Sequence, residues 1–341
     1  MTLPSPSPTQ LLSAVRHTIP PLTVQSLRKG QSGRIAIVGG SEEYTGAPYF
    51  AGMTALRMGA DLCHIFCEHS AAAPIKSYSP DLIVHPSLRS SSSISLLPPH
   101  VPAPTPATLA EPIVATLPRL HVLLLGPGLS RDKAMLDAAR IVLREARRRD
   151  LPVVVDADGL FLVQNDPDLV KGYTRAVVTP NGNEFERLCE KMNIPTSTPA
   201  DSACLLLAQA LGGVTVVQKG ARDVISDGSV VVHCSTPGSP RRCGGQGDLL
   251  SGATATFLAW ADLARGGGFG PAPPASPVPS PVLAAWSACH LTRLASRVAF
   301  GTRGRSVIAQ DLVEVVGRSF AAGFEGAEGD VQVESEGDVR L

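Results

Sequence analysis

VTVVQKGARDVISDGSVVVHC, residues 214–234, is where the chain changes its pattern, and that change decides the fold. It reads as a strand followed by a hairpin closed by Asp227 and Gly228, a pair favoured in tight β-turns. Several segments upstream follow another grammar, in which a short apolar run ends in Gly, Pro, Asn or Asp and a helix-periodic segment follows. RIAIVGG (34–40) leads to Tyr49, Phe50, Met53, Leu56 and Ala60 at helical spacing. HVLLLGPG (121–128) precedes MLDAARIVLREARRR, and LPVVVDADG (151–159) and RAVVTPNGNE (175–184) repeat the pattern. Strands that are apolar without alternation, interleaved with helices, predict a mainly parallel sheet covered by helices on both faces. The hairpin then predicts an antiparallel edge. Downstream, RRCGGQGDLLSGATATFLAW (241–260) places a glycine-rich loop before a helix with Leu250, Ala253, Thr254, Phe257 and Leu258 on its apolar face.

Three segments depart from this grammar: the Pro/Ser-rich stretches 89–112 and 264–282, and the tail after Phe324, which carries six acids against one arginine. They read as flexible or extended insertions outside the core. The expected organisation is an N-terminal segment over 1–22, partly flexible, one catalytic domain over 23–324 and an acidic tail over 325–341.

Thirty Lys and Arg balance thirty Asp and Glu, which argues against nucleic acid or an anionic membrane as partner and leaves small molecules. Self-association into a homo-oligomer is compatible with this composition. The seven cysteines form no CxxC pair and mostly lie in apolar runs, as in a reducing compartment. No apolar run reaches the roughly 18 residues of a membrane span, and residues 1–20 lack the features of a secretory or transit peptide. The expectation is a cytoplasmic protein.

The loops after the strands are where ligands bind in an open parallel sheet. In GGQGD, Gly244, Gly245 and Gly247 let backbone N–H groups approach an anion, and the following helix adds a favourable field. Asp248 would repel that anion unless its task is to deprotonate a hydroxyl while the amides hold a transferring phosphoryl group. The plainer account is a helix cap on a flexible turn. KGARD (219–223) is a turn that Gly220 would allow to approach a nucleotide. Asn181 and Glu184 are spaced either as a capping pair or to orient a substrate or a metal's water shell. Asp156 and Asp158 are secondary candidates, because an acid after a strand commonly caps the next helix. Glycines 39, 40 and 46 do not fit GxGxxG, and the chain has no GK[ST] and no GxSxG. The histidines show no metal-ligand grouping; His64, between Cys63 and Cys67, reads as a core or edge residue.

KG followed by a hairpin and GxGD resembles the ribokinase-like superfamily. HTIPPL, KGQSGRIAIVGGSEEYTGAPYFAGMTALRMGADL, GPGLSRD, VVDADGL, TPNGNEFERL, KGARD and GSPRRCGGQGDLLSG, spread over about residues 17–260, resemble the eukaryotic ATP-dependent NAD(P)H-hydrate dehydratases within it. The resemblance implies a ribokinase-like α/β fold and a nucleotide-repair lyase. Such an enzyme uses ATP with Mg2+ to dehydrate the S form of NADHX or NADPHX to NADH or NADPH, releasing ADP and phosphate. By position, Asp248 matches the base at the junction of ATP and hydrate. Lys219, Gly220, Ala221, Arg222 and Asp223, with Gly238, Ser239, Pro240, Arg241, Arg242, Cys243, Gly244, Gly245, Gln246 and Gly247, match the ATP-binding strings. Gly128, Asn181, Gly182, Asn183, Glu184, Phe185, Glu186 and Arg187 match those assigned to the hydrate, which Asp248 also meets, and Ala47 borders the same ligand. Ser130 stands where the family pattern GPGLG has glycine, and the 264–282 insertion is longer than that pattern needs. The GxGD chemistry equally suits a vitamin or sugar kinase of the same superfamily. A non-catalytic nucleotide sensor would have no need of Asp248.

Overall fold

A computed structural model describes residues 5–22, 28–195 and 197–326; all but two residues of the expected acidic tail lie outside this range. Nine strands form one sheet: β1 (Arg34–Val38), β2 (Leu62–Glu68), β3 (Ile83–Leu88), β4 (Val122–Leu125), β5 (Val153–Val155), β6 (Ala176–Val178), β7 (Thr215–Gln218), β8 (Asp223–Ser226) and β9 (Val231–Cys234). Their order is 3-2-1-4-5-6-7-8-9. The first seven are parallel, while β8 runs antiparallel to β7 and β9 antiparallel to β8. The antiparallel edge therefore contains two hairpins, because KGAR turns the chain as well as Asp227–Gly228.

Alternate residues of one strand serve two cores. Ile35 and Ile37 face one side of the sheet and Ala36 and Val38 the other, all with no exposed surface. That is why the strands read as continuous apolar runs. The helices are α1 (Pro8–Arg16), α2 (Gly46–Met58), α3 (His69–Tyr78), α4 (Ser91–Ser95), α5 (Pro106–Thr116), α6 (Lys133–Arg148), α7 (Asp158–Asn165), α8 (Gly182–Lys191), α9 (Ala200–Ala210), α10 (Gln246–Arg265), α11 (Ser280–Arg303) and α12 (Ala309–Phe320). Buried residues of α1–α3 and α10–α12 form the first core, and those of α5–α9 the second.

Helix α10 is buried along most of its length and lies against α2 so closely that a Cβ on Gly252 would stand 2.3 Å from the Ala51 carbonyl oxygen. The Trp260 indole donates to the Ser32 carbonyl at 2.6 Å and fixes its far end. This packing determines where the GGQGD loop can be.

The expectation of extended, peripheral chain over 89–112 is corrected by α4 and α5. Thr105 caps α5 with Pro106 in its first turn, and Leu109, Ala110 and Ile113 enter the second core. A cap followed by proline is a helix-start signal that the Pro/Ser-rich composition obscured. Helix α1 likewise buries Leu11 and Val15, and Arg16 Nε donates to the Phe324 carbonyl at 2.7 Å. Residues 266–279, by contrast, carry neither helix nor strand.

The chain leaves β1 toward β3 on one side and returns through β4 on the other, so the topological switch point lies between β1 and β4. The loops there touch through backbone. Gly40 N–H donates to the Pro127 carbonyl at 3.0 Å, and a Cβ on Gly39 would stand 2.1 Å from that oxygen. Gly126, at φ +124°, would place a Cβ 1.8 Å from the Asp156 carbonyl oxygen. Gly126→Ala is therefore expected to destabilise the protein by more than about 2 kcal/mol. Gly301→Ala, in the open at the end of α11, is expected to raise stability by about 0.5–1 kcal/mol. Urea midpoints of the two variants measure this, and the reverse order would refute the backbone-contact account.

Candidate functional site

The carboxyl ends of the strands gather Asp156 from β5, Glu184 from the first turn of α8, Lys219 from β7 and Asp248 from the first turn of α10. Asp156 is 2% exposed and accepts a hydrogen bond from Lys219 Nζ at 3.0 Å. Burial pushes the Asp248 carboxyl up to about 7; the Asp156 charge pushes the same way, and Lys219 opposes them. Burial also raises Glu184, against the bond from the Asn181 N–H and the charge of Lys219. Burial alone would depress Lys219, but Asp156, Glu184 and Asp248 outweigh it and hold the ammonium above its ordinary value. One cation thus serves three carboxylates.

The GGQGD loop meets α10 at Gly245, the cap residue, which is left-handed at φ +91° and has no side-chain cap bond. A Cβ there would stand 2.6 Å from Ala309 Cβ and 3.1 Å from the Phe50 ring, so glycine is required by conformation and by contact. The first helical bond runs from Leu249 N–H to the Gly245 carbonyl. The amides of Gln246, Gly247 and Asp248 therefore lack helical partners and form the positive end of a twenty-residue helix. Asp248 is not the cap, which removes the plainer account of that acid.

KGARD divides by role. Lys219 enters the carboxylate cluster, and the Gly220 N–H donates to Asp223 at 3.0 Å. Asp223 also binds Arg293 Nε at 2.7 Å, and the Arg293 guanidinium donates to the carbonyls of Gly220 and Ala221, both at 2.9 Å. Asp223 is thus a buried strut of the loop. Arg222 pairs with Asp201 at 3.0 Å on the surface. In the next string Gly238 packs on Arg293, and Ser239 Oγ shares a hydrogen bond with Ser296 at 2.7 Å while donating to the Arg241 carbonyl. Gln246 donates to Ser296 at 3.1 Å. Pro240, Arg241, Arg242 and Gly244 are exposed, with Cys243 half-buried.

Of the strings matched to the hydrate, Asn181 and Glu184 form a reciprocal capping box, at 2.8 and 3.0 Å. Asn181, Gly182, Asn183, Glu186 and Arg187 are exposed, whereas the Phe185 side chain lies in the second core. Gly128, at φ +63°, stands against Tyr44 and Ala47, bringing the GAP turn to the GPG loop. Ser130 adopts φ +71°, the left-handed region that explains the glycine expected there. Its N–H donates to Asp158 at 2.9 Å, and its Oγ accepts from the Asp132 N–H at 3.1 Å.

Sequence reading left Asp156 and Asp158 as secondary candidates and did not single out Arg293. Neither aspartate caps α7, whose cap is Ala157 with no side-chain bond. The available signal was two acids separated by a single residue at a strand end. A separate groove of about 580 Å3, lined in part by Arg175 and Asp262, opens at the amino ends of β5–β7; Asp156, Glu184, Lys219 and Asp248 do not line it.

Comparison with known proteins gives the family and the fold. The sequence profile of the family described as NAD(P)H-hydrate dehydratase matches residues 35–318. The chain is 48% identical to the mouse ATP-dependent (S)-NAD(P)H-hydrate dehydratase, over 92% of this chain and 85% of that protein. It is 44% identical to the enzyme of that name from Schizosaccharomyces pombe, over 95% and 96%. In structure it resembles a ribokinase-like superfamily protein of Enterococcus faecalis, with TM-score 0.70 and 18% identity over 91% of this chain and 94% of that one. It also resembles the ADP/ATP-dependent NAD(P)H-hydrate dehydratase of Bacillus subtilis co-crystallized with ATP/Mg2+, with TM-score 0.61 and 21% identity over 92% and 97%. The fold is ribokinase-like, and by its sequence the chain belongs to the NAD(P)H-hydrate dehydratase family.

Proposed function

We propose that this chain dehydrates the S form of NAD(P)H hydrate with ATP, as its relatives' names describe. The observation that carries the reading is a carboxyl group held near neutral, Asp248, in the first turn of a helix whose leading amides are free. Asp248 takes the proton of the ring hydroxyl as that oxygen attacks the γ-phosphorus, and ADP leaves. The amides of Gln246 and Gly247 and the Lys219 ammonium face the charge on the transferring phosphoryl group. Phosphate, a far better leaving group than hydroxide, then departs as a proton is lost from the neighbouring ring carbon, and the double bond of NAD(P)H forms.

Mg2+ brought in with ATP would neutralise phosphate charge beside Lys219 and the Gln246 and Gly247 amides; among the described residues no cluster of three His, Cys, Asp or Glu side chains would hold it by itself. The nucleotide lies along KGARD and Gly238–Gly247. The hydrate occupies the switch-point side, between Ala47, Gly128 and the amino end of α8. Among the described residues no helix is long and apolar enough to cross a membrane, and all seven cysteines are free thiols. A reducing, cytoplasmic setting fits these thiols.

Incubation with ATP, Mg2+ and hydrated NADPH is expected to restore the absorbance of the reduced nicotinamide. ATP consumption on vitamin or sugar alcohols with no recovery would favour the kinase reading instead. Asp248→Asn should lower turnover by about 100- to 10,000-fold, the range of a positioned base, while ATP affinity measured by calorimetry changes little; joint collapse of both would make Asp248 structural. Because the ionised carboxylate is the active form, kcat/KM should rise with pH up to about 7 and level above it. A profile flat from pH 5 to 8 would remove Asp248 as base.

A further inference from the structure

Asp156 lies outside the strings matched to either ligand, yet its side chain is 3% exposed beside the GGQGD loop. A carboxylate removed from water is costly unless paired. Its partner comes from two strands away: Lys219 Nζ, 3.0 Å from Oδ1, reaches past the end of β6. The pair lies against the loop backbone. The point where a Cβ on Gly247 would stand is 3.5 Å from Lys219 Nζ and 4.0 Å from Asp156 Oδ2.

The direction of Asp156 is set by main chain. Its N–H donates to the Leu125 carbonyl at 3.0 Å and its carbonyl accepts from the Gly159 N–H at 2.9 Å. Ala157 then turns the chain at φ +49°, ψ −123°, a conformation unfavourable for any residue but glycine. Lysine has a flexible four-carbon stem and a point charge. Three carboxylates compete for it: Asp156 from β5, Glu184 from α8 and Asp248 from α10. If it collapsed onto Asp248 it would neutralise the base.

We propose that Asp156 is a positioning residue that anchors the Lys219 ammonium against the Gly247 backbone, where the cation meets the transferring phosphoryl group and leaves Asp248 free to accept a proton. The proposal rests on the phosphoryl-transfer step of the dehydratase reading. Asp248 is faced by Asp156 and Lys219, and Glu184 by Lys219, Asp156 and Arg187.

The test is the acid limb of the pH–kcat/KM profile in three variants. Asp156→Asn removes a negative charge and releases Lys219, and both changes favour ionised Asp248. The limb should move about one pH unit lower or more, and turnover should fall roughly 10- to 100-fold as the cation loses its place. Lys219→Gln leaves the carboxylates without their cation and should move the limb to higher pH. The double variant should return it toward the wild-type position. Wild-type turnover and an unmoved limb in Asp156→Asn, or shifts of the same sign in the two single variants, would overturn the proposal. If Asp156→Asn does not fold, an unmoved limb in Lys219→Gln decides against it. Titrating the Asp248 carboxyl by NMR gives the same shifts without turnover, so wild-type inactivity on the hydrate would count against the dehydratase reading alone.

Discussion

The site depends on backbone meeting backbone at the carboxyl ends of β1, β4 and β5. Gly39 lies against Pro127, Gly126 against Asp156, and Gly159 so close that a Cβ would stand 2.5 Å from the Leu125 carbonyl oxygen. No side chain fits at these contacts. The three loops are therefore held against one another, and each aspartate of DADG has its own partner: Asp156 the Lys219 ammonium, Asp158 the Ser130 amide of the switch-point loop. Packing of α10 on α2 through Gly252 supplies the second fixed body, with the free amides at its start. A catalytic arrangement built on such contacts has little room to drift, as positioning within fractions of an ångström requires.

Electrostatics follow from that packing. Three carboxylates and one ammonium share a half-buried space, and two charges about 4 Å apart at an effective dielectric near 20 interact by about 4 kcal/mol. Lys219 satisfies Asp156 directly and the other two only through space. Asp248 is left without a full partner and drifts toward neutrality, where a group can both accept and release a proton near physiological pH. Buried Asp156 and Asp223 each have a cation within 3 Å, whereas Asp248 makes no ion pair among the described residues and stands in the first turn of α10 beside its leading amides. Such a local exception marks function better than the acid's presence in the sequence does.

Much of this was legible in the residues. The strand runs ending in RIAIVGG, HVLLLGPG, VVVDADG and RAVVTP gave a parallel sheet because burial on both faces erases alternation. GGQGD pointed to a loop entering a helix start, where glycine at Gly245 is required by φ +91° and by contact with Ala309 and Phe50. What stayed hidden depended on direction or distance. Whether Asp156 caps α7 or crosses to Lys219 turns on the conformation of Ala157, which its side chain does not reveal. Arg293 supports the KGARD loop from α11, some seventy residues away in sequence. Phe185 sits inside a binding-like string, but helical spacing turns it to the core with Leu188 and Cys189. Composition also misled over 106–112, where a Thr105 cap and a proline in the first turn outweighed the Pro/Ser content around them.

A kinase-like cradle suits a dehydration because the difficult part of losing hydroxide is the leaving group. Once the hydroxyl carries a phosphoryl group, the ring's own electrons can expel it, so the second step asks little further of the chain. Selection between substrates must then come from the surface that holds the alcohol before transfer. That surface differs in kind from the cradle. In the proposed placement it is formed by Gly128 pressed on Tyr44 and Ala47, by the Ser130 loop tied to Asp158, and by the capped start of α8 with exposed Asn181 and Asn183. Amides and a lysine answer to phosphate whatever it is attached to, whereas these loops hold shape through contacts that a single Cβ would disrupt. The division explains why GxGD alone left a vitamin or sugar kinase open, and why the switch-point strings carried the distinction.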